Sequence, residues 1–249
     1  MKNKLLGKAF LVLEEIAASM SPLSLKLLST RLGIHASTLS RITNDLVEAG
    51  YLRKANYREF EPALGLIYLG QRAMVNCHFP KKVNRLIRGR CKTAKLQGAV
   101  AGVFKDRLVY MYNSSHEEAG DKAGMPFTCH PHSSNIALVV LAKRFGKTKA
   151  LKVLEDSLTR YAPESDLQER LHFFDGRITE LDAEGYSLWI AKDSWNVCVP
   201  VVWDDEVFGL ALYTTPELAG TKERLIMETS LLAHRVNDLL LDRDNRPLK

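Results

Sequence analysis

The sequence predicts a two-domain chain: a winged helix-turn-helix at the N-terminus, then an α+β domain with helices laid over an antiparallel sheet. Three observations predict this. Residues 23–50, LSLKLLSTRLGIHASTLSRITNDLVEAG, hold two short amphipathic helical patterns that meet at Gly33. Positive charge gathers in the same part of the chain. Residues 1–92 carry 16 Lys+Arg against 6 Asp+Glu, or +10, and residues 93–249 carry 19 against 23, or −4, leaving +6 overall. From Gly98 onward the pattern changes to strand pairs at both ends of the segment with helices between them, the arrangement of an α+β domain. A basic module joined to an acidic one suits a polyanion-binding head with a separate partner domain.

Each element follows from local pattern. Leu5, Ala9, Val12, Leu13, Ile16 and Met20 form one apolar stripe of a first helix, which Ser21-Pro22 ends. Ser24 is a cap for the next helix, on which Leu25, Leu28 and Leu32 share a face. Gly33 turns the backbone. A second helix starts within 35–37 and runs to about Ala49, with Gly50 at its C-terminal cap. There Leu39, Ile42 and Leu46 face inward. Ser37, Ser40, Arg41 and Asn44, with Thr38 at the border, form the other face. Arg suits guanine, Asn suits adenine, and hydroxyls suit phosphate or base edges in a major groove. An ordinary helical hairpin with a solvated polar face is the alternative at this stage.

Residues 51–61, YLRKANYREFE, read as a hairpin with its turn at 54–56 and a return strand at 57–60. This wing carries Arg53, Lys54 and Arg58, which would lie near phosphates and supply affinity and salt dependence. Residues 62–74 read as a connecting helix, in which Leu64, Ile67, Tyr68 and Met74 need burial, within the chain or against a second copy. Phe79-Pro80 marks a boundary, and 81–95 is a basic amphipathic helix with Val83, Leu86, Ile87 and Cys91 inward. The domains are therefore expected at 1–62 (winged helix-turn-helix), 63–80 (linker helix) and 81–249.

The last segment gives strands at 98–104 and 108–112 around a turn at 105–107, and a polar loop at 113–124. Helices follow at 133–145, capped by Ser133 or Ser134, at 149–160 and at 167–184. Strands at 186–190, 196–203 and 206–214, with Asp204-Asp205 in the last turn, precede one long closing helix at 217–241. Leu225, Thr229, Leu232, Val236 and Leu240 line its inner face.

Cys77, Cys91, Cys129 and Cys198 are scattered, which speaks against a disulfide framework. No run reaches the roughly 20 apolar residues of a membrane span. The N-terminal pattern contains Glu14 and Glu15 and is not an export signal, so a cytoplasmic location is expected.

The order of these parts resembles the IclR family of bacterial transcriptional regulators over nearly the whole length. The likeness is strongest in LSLKLLSTRLGIHASTLSRITNDLVEAGYLRK. It continues more weakly through Leu108-Val109-Tyr110, MPFTCHPHSSNIALVVLA, Glu184-Gly185-Tyr186 and LALYTTP. It implies an effector domain of GAF-like fold, a homodimer or homotetramer, a pseudo-palindromic double-stranded DNA operator and control by a small metabolite. That metabolite would be an organic acid, a sugar acid or an aromatic. It further implies an effector site between the loop before the 133–145 helix and the ends of the last strands, lined by His130, His132, Ser133, Ser134, Trp189, Asn196 and Thr214. The sequence departs from the family at Asn135-Ile136-Ala137, at Trp189-Ile190-Ala191 and at Trp195-Asn196, so the ligand-facing set is altered.

Two other readings compete for the same residues. Cys129-His130-Pro131-His132 has zinc-type ligands but no second cluster to complete a site. Ser133 or Cys198 with His130 would be needed for an enzyme, without any catalytic signature around them. No cofactor, metal, catalytic residue or membrane partner is expected. A ligand sensor that has lost DNA binding is the remaining alternative.

Overall fold

The computed structural model describes residues 4–76, 78–105, 107–114, 130–203 and 205–241. They fall into two compact units, Met1–Cys77 and His78–Lys249.

The first unit contains α1 (Lys4–Ala18), β1 (Leu23–Ser24), α2 (Leu25–Leu32), α3 (Ala36–Glu48), β2 (Leu52–Lys54), β3 (Glu59–Pro62) and α4 (Leu64–Asn76). Its core joins Val12 and Ile16 of α1 to Leu28, Ile34, Leu39, Ile42, Leu52 and Phe60. Ser24 Oγ accepts the Leu27 N–H at 3.3 Å and caps α2. Gly33 turns the chain at φ 62°, a conformation in which a side chain is strained. Ser29 Oγ then donates to the Ile34 carbonyl at 2.7 Å and closes the turn.

The wing is broader than the pattern predicts. β3 pairs with β2 on one side and with β1 on the other, so Leu23↔Phe60 and Lys54↔Phe60 build a three-stranded sheet. The two-residue strand β1 is too short to show an alternation in sequence. The return strand starts at Glu59 and not at Tyr57, because Asn56 Oδ1 accepts the Arg58 N–H at 2.9 Å and lengthens the turn. Met20 is 88% exposed, since α1 stops at Ala18. Leu64, Ile67 and Tyr68 of α4 stay exposed in the single chain.

The second unit runs α5 (His78–Ala94), β4 (Gln97–Phe104), β5 (Arg107–Asn113), a 3₁₀ turn (Pro131–Ser133), α6 (Asn135–Phe145), α7 (Lys147–Tyr161) and α8 (Leu167–Glu184). Then come β6 (Ser187–Ile190), β7 (Trp195–Trp203), β8 (Glu206–Thr214), α9 (Pro216–Ala219) and α10 (Lys222–Leu241). The sheet order is β5-β4-β8-β7-β6, with every pair antiparallel. Pro80 falls within the first turn of α5, where a proline costs no helical hydrogen bond. The expected single closing helix is broken at Gly220, whose φ of 74° no regular helix holds. Asp106, Asp204 and the 115–124 part of the predicted loop lie outside the described residues.

Side chains alternate between the two faces of this sheet. One face receives α6, α7 and α8 in a core that includes Ala101, Cys198, Ala211, Leu138, Leu154 and Phe174. The other receives α5, where Ile87 and Cys91 come against Gly98 and Leu212. Glycine permits close approach on both faces. A Cβ on Gly209 would lie 2.8 Å from Ile136 Cγ2, and one on Gly98 would lie 2.7 Å from Cys91 Sγ.

Leu39→Ala should destabilise the first unit by about 2–5 kcal/mol, because Leu39 is fully buried and the small domain has little room to collapse around the cavity. Urea unfolding followed by circular dichroism measures this, and an unchanged midpoint would contradict the core assignment.

Candidate functional site

The two candidate sites lie in different units, so each is built separately. In the first, α3 starts at an unusual cap. His35 Nδ1 lies 2.9 Å from Ser37 Oγ and 3.4 Å from the Ser37 amide. The helix buries Leu39, Ile42 and Thr43 and leaves Ser37, Arg41 and Asn44 exposed, with Thr38 and Ser40 half-buried. Thr43 Oγ1 donates to the Ser40 carbonyl at 3.1 Å. The outward face is therefore the one that the sequence pattern selects. It holds one free-reaching guanidinium, one amide and short hydroxyls. Ser37 is partly committed to His35, a cap that the sequence reading missed because histidine is not a usual N-cap residue.

On the wing, Lys54 and Arg58 are exposed, and the Arg58 guanidinium lies 5.6 Å from the centre of the Tyr57 ring. Arg53 differs. Its Nε is 2.8 Å from Glu61 Oε1, its cross-strand partner, so part of its charge is answered within the hairpin.

In the second unit the site is organised by the start of α6. Ser134 is the cap, with Oγ accepting the Ala137 N–H at 3.2 Å. Ser133 sits in the preceding 3₁₀ turn and donates to the His130 carbonyl at 2.9 Å. Next to the cap, Asn135 Nδ2 donates to the Ser187 carbonyl at 2.9 Å and to Asn196 Oδ1 at 3.0 Å. Asn135 Oδ1, Ser187 Oγ and Trp189 Nε1 are buried with no hydrogen-bond partner among the described residues. A buried polar group left so costs about 1–3 kcal/mol, and such groups are commonly matched by water or a ligand. Phe173 and Phe174 of α8 wall this corner, with ring centres 5.3 and 6.3 Å from that of Trp189. The Arg170 guanidinium lies 4.9 Å from the Phe174 ring centre and donates to the His132 carbonyl at 3.1 Å.

The two histidines face α7. His132 is buried, with Nδ1 2.9 Å from Ser157 Oγ. His130 stacks on Tyr161 with ring centres 3.7 Å apart. Of the seven residues expected at this site, Ser134, Trp189 and Asn196 gather around Asn135. His130, His132 and Ser133 cluster beside them. Thr214 is set apart. Asn196 pairs with Tyr213, which packs on the α6 side, so the alternation turns Thr214 to the opposite face of the sheet. There it lines a separate cavity.

Asn135, Ser187, Phe173, Phe174 and Arg170 were not expected at the site from sequence. The one signal available was Asn135, which stands where the family pattern has another residue. The Cys198 thiol is pushed well up by its complete burial and stays neutral. Among the described residues no group of three or more His, Cys, Asp or Glu side chains could hold a metal ion, and Cys129 lies outside those residues. No described helix is long and apolar enough to cross a membrane.

Comparison with known proteins adds a second line. Residues 5–55 match the IclR helix-turn-helix domain. No curated protein matches the chain in sequence. Solved structures do match its fold. An IclR family transcriptional regulator from Brucella abortus superposes with a TM-score of 0.80 at 19% identity, covering 95% of this chain and 92% of that one. An IclR homolog from Microbacterium hydrocarbonoxydans, complexed with 4-hydroxybenzoate, gives 0.64 at 15% identity over 95% and 99% of the two chains. An IclR transcriptional regulator from Alicyclobacillus acidocaldarius gives 0.64 at 16% over 95% and 98%. Residues 5–55 are thus similar to the IclR helix-turn-helix domain, and 95% of the chain shares the fold of a solved IclR-family transcriptional regulator.

His132 should make stability pH-dependent. Burial, then the charges of His130 and Arg170, lower its pKa below the ordinary 6.5. The unfolded chain therefore takes up a proton near 6.5 that the folded chain resists. The stabilisation is present above that pH and is lost as pH falls through the lower folded value. Acidification from about pH 8 to about pH 5.5 should lower Tm less in His132→Asn than in the wild type. Equal losses would remove His132 as the titrating group.

Proposed function

With an IclR helix-turn-helix domain at its head and the fold of that family's regulators along its length, we propose that this chain is a sequence-specific DNA-binding transcriptional repressor under the control of a small metabolite. The observation that carries this reading is the outward face of α3, where Arg41 and Asn44 are exposed above a fully buried apolar face. Arg41 and Asn44 read base edges, while Ser37, Thr38 and Ser40 contact the rim of the groove. Lys54 and Arg58 lie against phosphates, and Arg53 contributes less because Glu61 answers its charge. The active form is a homodimer or a dimer of dimers. A second copy covers the apolar side chains that α1 and α4 expose, among them Phe10, Leu11, Leu64 and Ile67. Two α3 helices then enter successive major grooves about 34–36 Å apart on a pseudo-palindrome.

The effector binds at Asn135, Ser187 and Trp189, whose orphaned polar atoms supply both a donor and an acceptor. Their neighbours Phe173 and Phe174 favour a flat ring, and Arg170 and the start of α6 favour a carboxylate. An aromatic acid therefore fits this site better than a sugar acid does. The 4-hydroxybenzoate held by the Microbacterium hydrocarbonoxydans structure is of that class. Binding shifts the population between arrangements of the two units and so changes operator affinity. An enzymatic reading has little to stand on, since the Ser133 hydroxyl goes to a backbone oxygen and the Cys198 thiol is buried and neutral.

Arg41→Ala should weaken binding to the chain's own upstream DNA by about 1–3 kcal/mol, roughly 5- to 150-fold, with little change on random DNA. Equal loss on both sequences would take Arg41 off the bases. Lys54→Ala should lower the salt slope of binding by about one, and Arg53→Ala by less. A protein that binds effector but never retards that DNA would instead be a sensor without a DNA target. For the effector site, titration of 4-hydroxybenzoate into the full chain should quench tryptophan fluorescence saturably. Asn135→Ala should weaken it at least tenfold, and an unchanged affinity would move the ligand elsewhere.

A further inference from the structure

The half-open cavity lined by Thr214 has a volume of about 890 Å³ and lies at one end of the five-stranded sheet, where Thr214 turns to the face opposite the effector site proposed above and Tyr213 lines it from the other. Its walls are the last turns of α5, the first residue of β4, the ends of β5 and β8, and the turn between β6 and β7. Arg88, Lys92 and Lys95 line it, and Asp193 is the one carboxylate among the lining residues described. Neither Lys92 nor Lys95 has an ion-pair partner among the described residues. Ser114 and Thr214 are among the hydroxyl residues that line the same space. Ser114 is buried and its Oγ accepts the Gly98 N–H at 2.9 Å, which leaves its hydrogen free to be donated. Thr214 is likewise buried.

Lys95 stands in an unfavourable place for a lysine. Its φ is 55°, and the Leu96 N–H reaches back to the Cys91 carbonyl at 3.0 Å. This is the closure of a helix by a left-handed residue, a position that glycine usually fills without strain. A cation near a helix C-terminus often only balances the helix dipole. Here Arg224 already reaches the last carbonyl of α5, that of Ala94. Strain at Lys95 thus coincides with an exposed cation at the lining of a cavity, the sort of conflict found at binding sites.

We propose that this cavity is a second small-molecule site, built for a phosphorylated metabolite that carries hydroxyl groups. Lys92 and Lys95 hold the phosphate, which is largely a dianion at neutral pH. Ser114 and Thr214 bond the hydroxylated body. The volume is within the range of about 300–1,000 Å³ usual for ligand pockets and far exceeds what inorganic phosphate fills.

Calorimetric titration of the full chain at low salt tests this, with glucose 6-phosphate, inorganic phosphate and glucose as probes. Glucose 6-phosphate should bind saturably, and the other two at least tenfold more weakly. The double variant Lys92→Ser/Lys95→Gly should lose at least tenfold in affinity for glucose 6-phosphate, because it keeps the left-handed turn but not the charge. Lys95→Gly alone should lose part of that affinity while its unliganded Tm stays level or rises. Absence of saturable binding at millimolar glucose 6-phosphate overturns the proposal. So does unchanged affinity in the double variant, which would put the anion on another surface, the DNA-reading face included. Equal affinity for inorganic phosphate would overturn the recognition of hydroxyls. A fall in Tm with unchanged affinity in Lys95→Gly would reduce Lys95 to a structural role.

Discussion

Burial of the first two turns of α6 on all sides is the constraint on which the second unit depends. Every side chain from Ile136 to Ala142 is at most 7% exposed, so the helix has no solvent face before its last turn. A helix that is apolar all round must be surrounded, and here the sheet lies on one side with α7 and α8 on the other. Gly209 lets it come close to the strands. The first residue of α6 is consequently forced into the interior, and that residue is the polar Asn135. Its amide is answered by Ser187 and Asn196, but its carbonyl oxygen is not answered among the described residues. The packing that stabilises the fold therefore also creates the polar corner proposed as the effector site.

The first unit follows a simpler rule. A single buried stripe on α3 meets α1, α2 and the wing, and everything that the stripe does not use faces outward. The unit is small and its core is correspondingly thin. The exposed apolar side chains of α1 and α4 belong to the same economy, since a unit of this size has too little interior to bury them by itself.

The two faces of the five-stranded sheet divide the chemistry. Alternation along β7 and β8 sends Asn196 toward α6 and Thr214 toward α5. A one-residue step in strand register thus separates two environments. One is aromatic with a few orphaned polar atoms, and the other is basic and lined with hydroxyls.

Much of this was legible in the residues. The α3 face could be read because helical periodicity is a local property, and Leu39, Ile42, Arg41 and Asn44 sort themselves by spacing alone. The 167–184 helix and the 206–214 strand were likewise marked by their own caps and turns. What could not be read depended on contacts between distant residues. β1 exists only because Leu23 meets Phe60, and Arg53 is tempered only because register brings it to Glu61. His132 is buried only because Ser157 and Arg170 arrive from other helices. By itself the sequence determined the order of the main helices and strands, the placement of charge and the outward face of α3, since each rests on neighbours along the chain. The tertiary structure alone decided which of Asn196 and Thr214 shares a site with Trp189, and that Asn135 anchors it, because strand register and helix docking bring those atoms together from positions as far apart as Asn135 and Thr214.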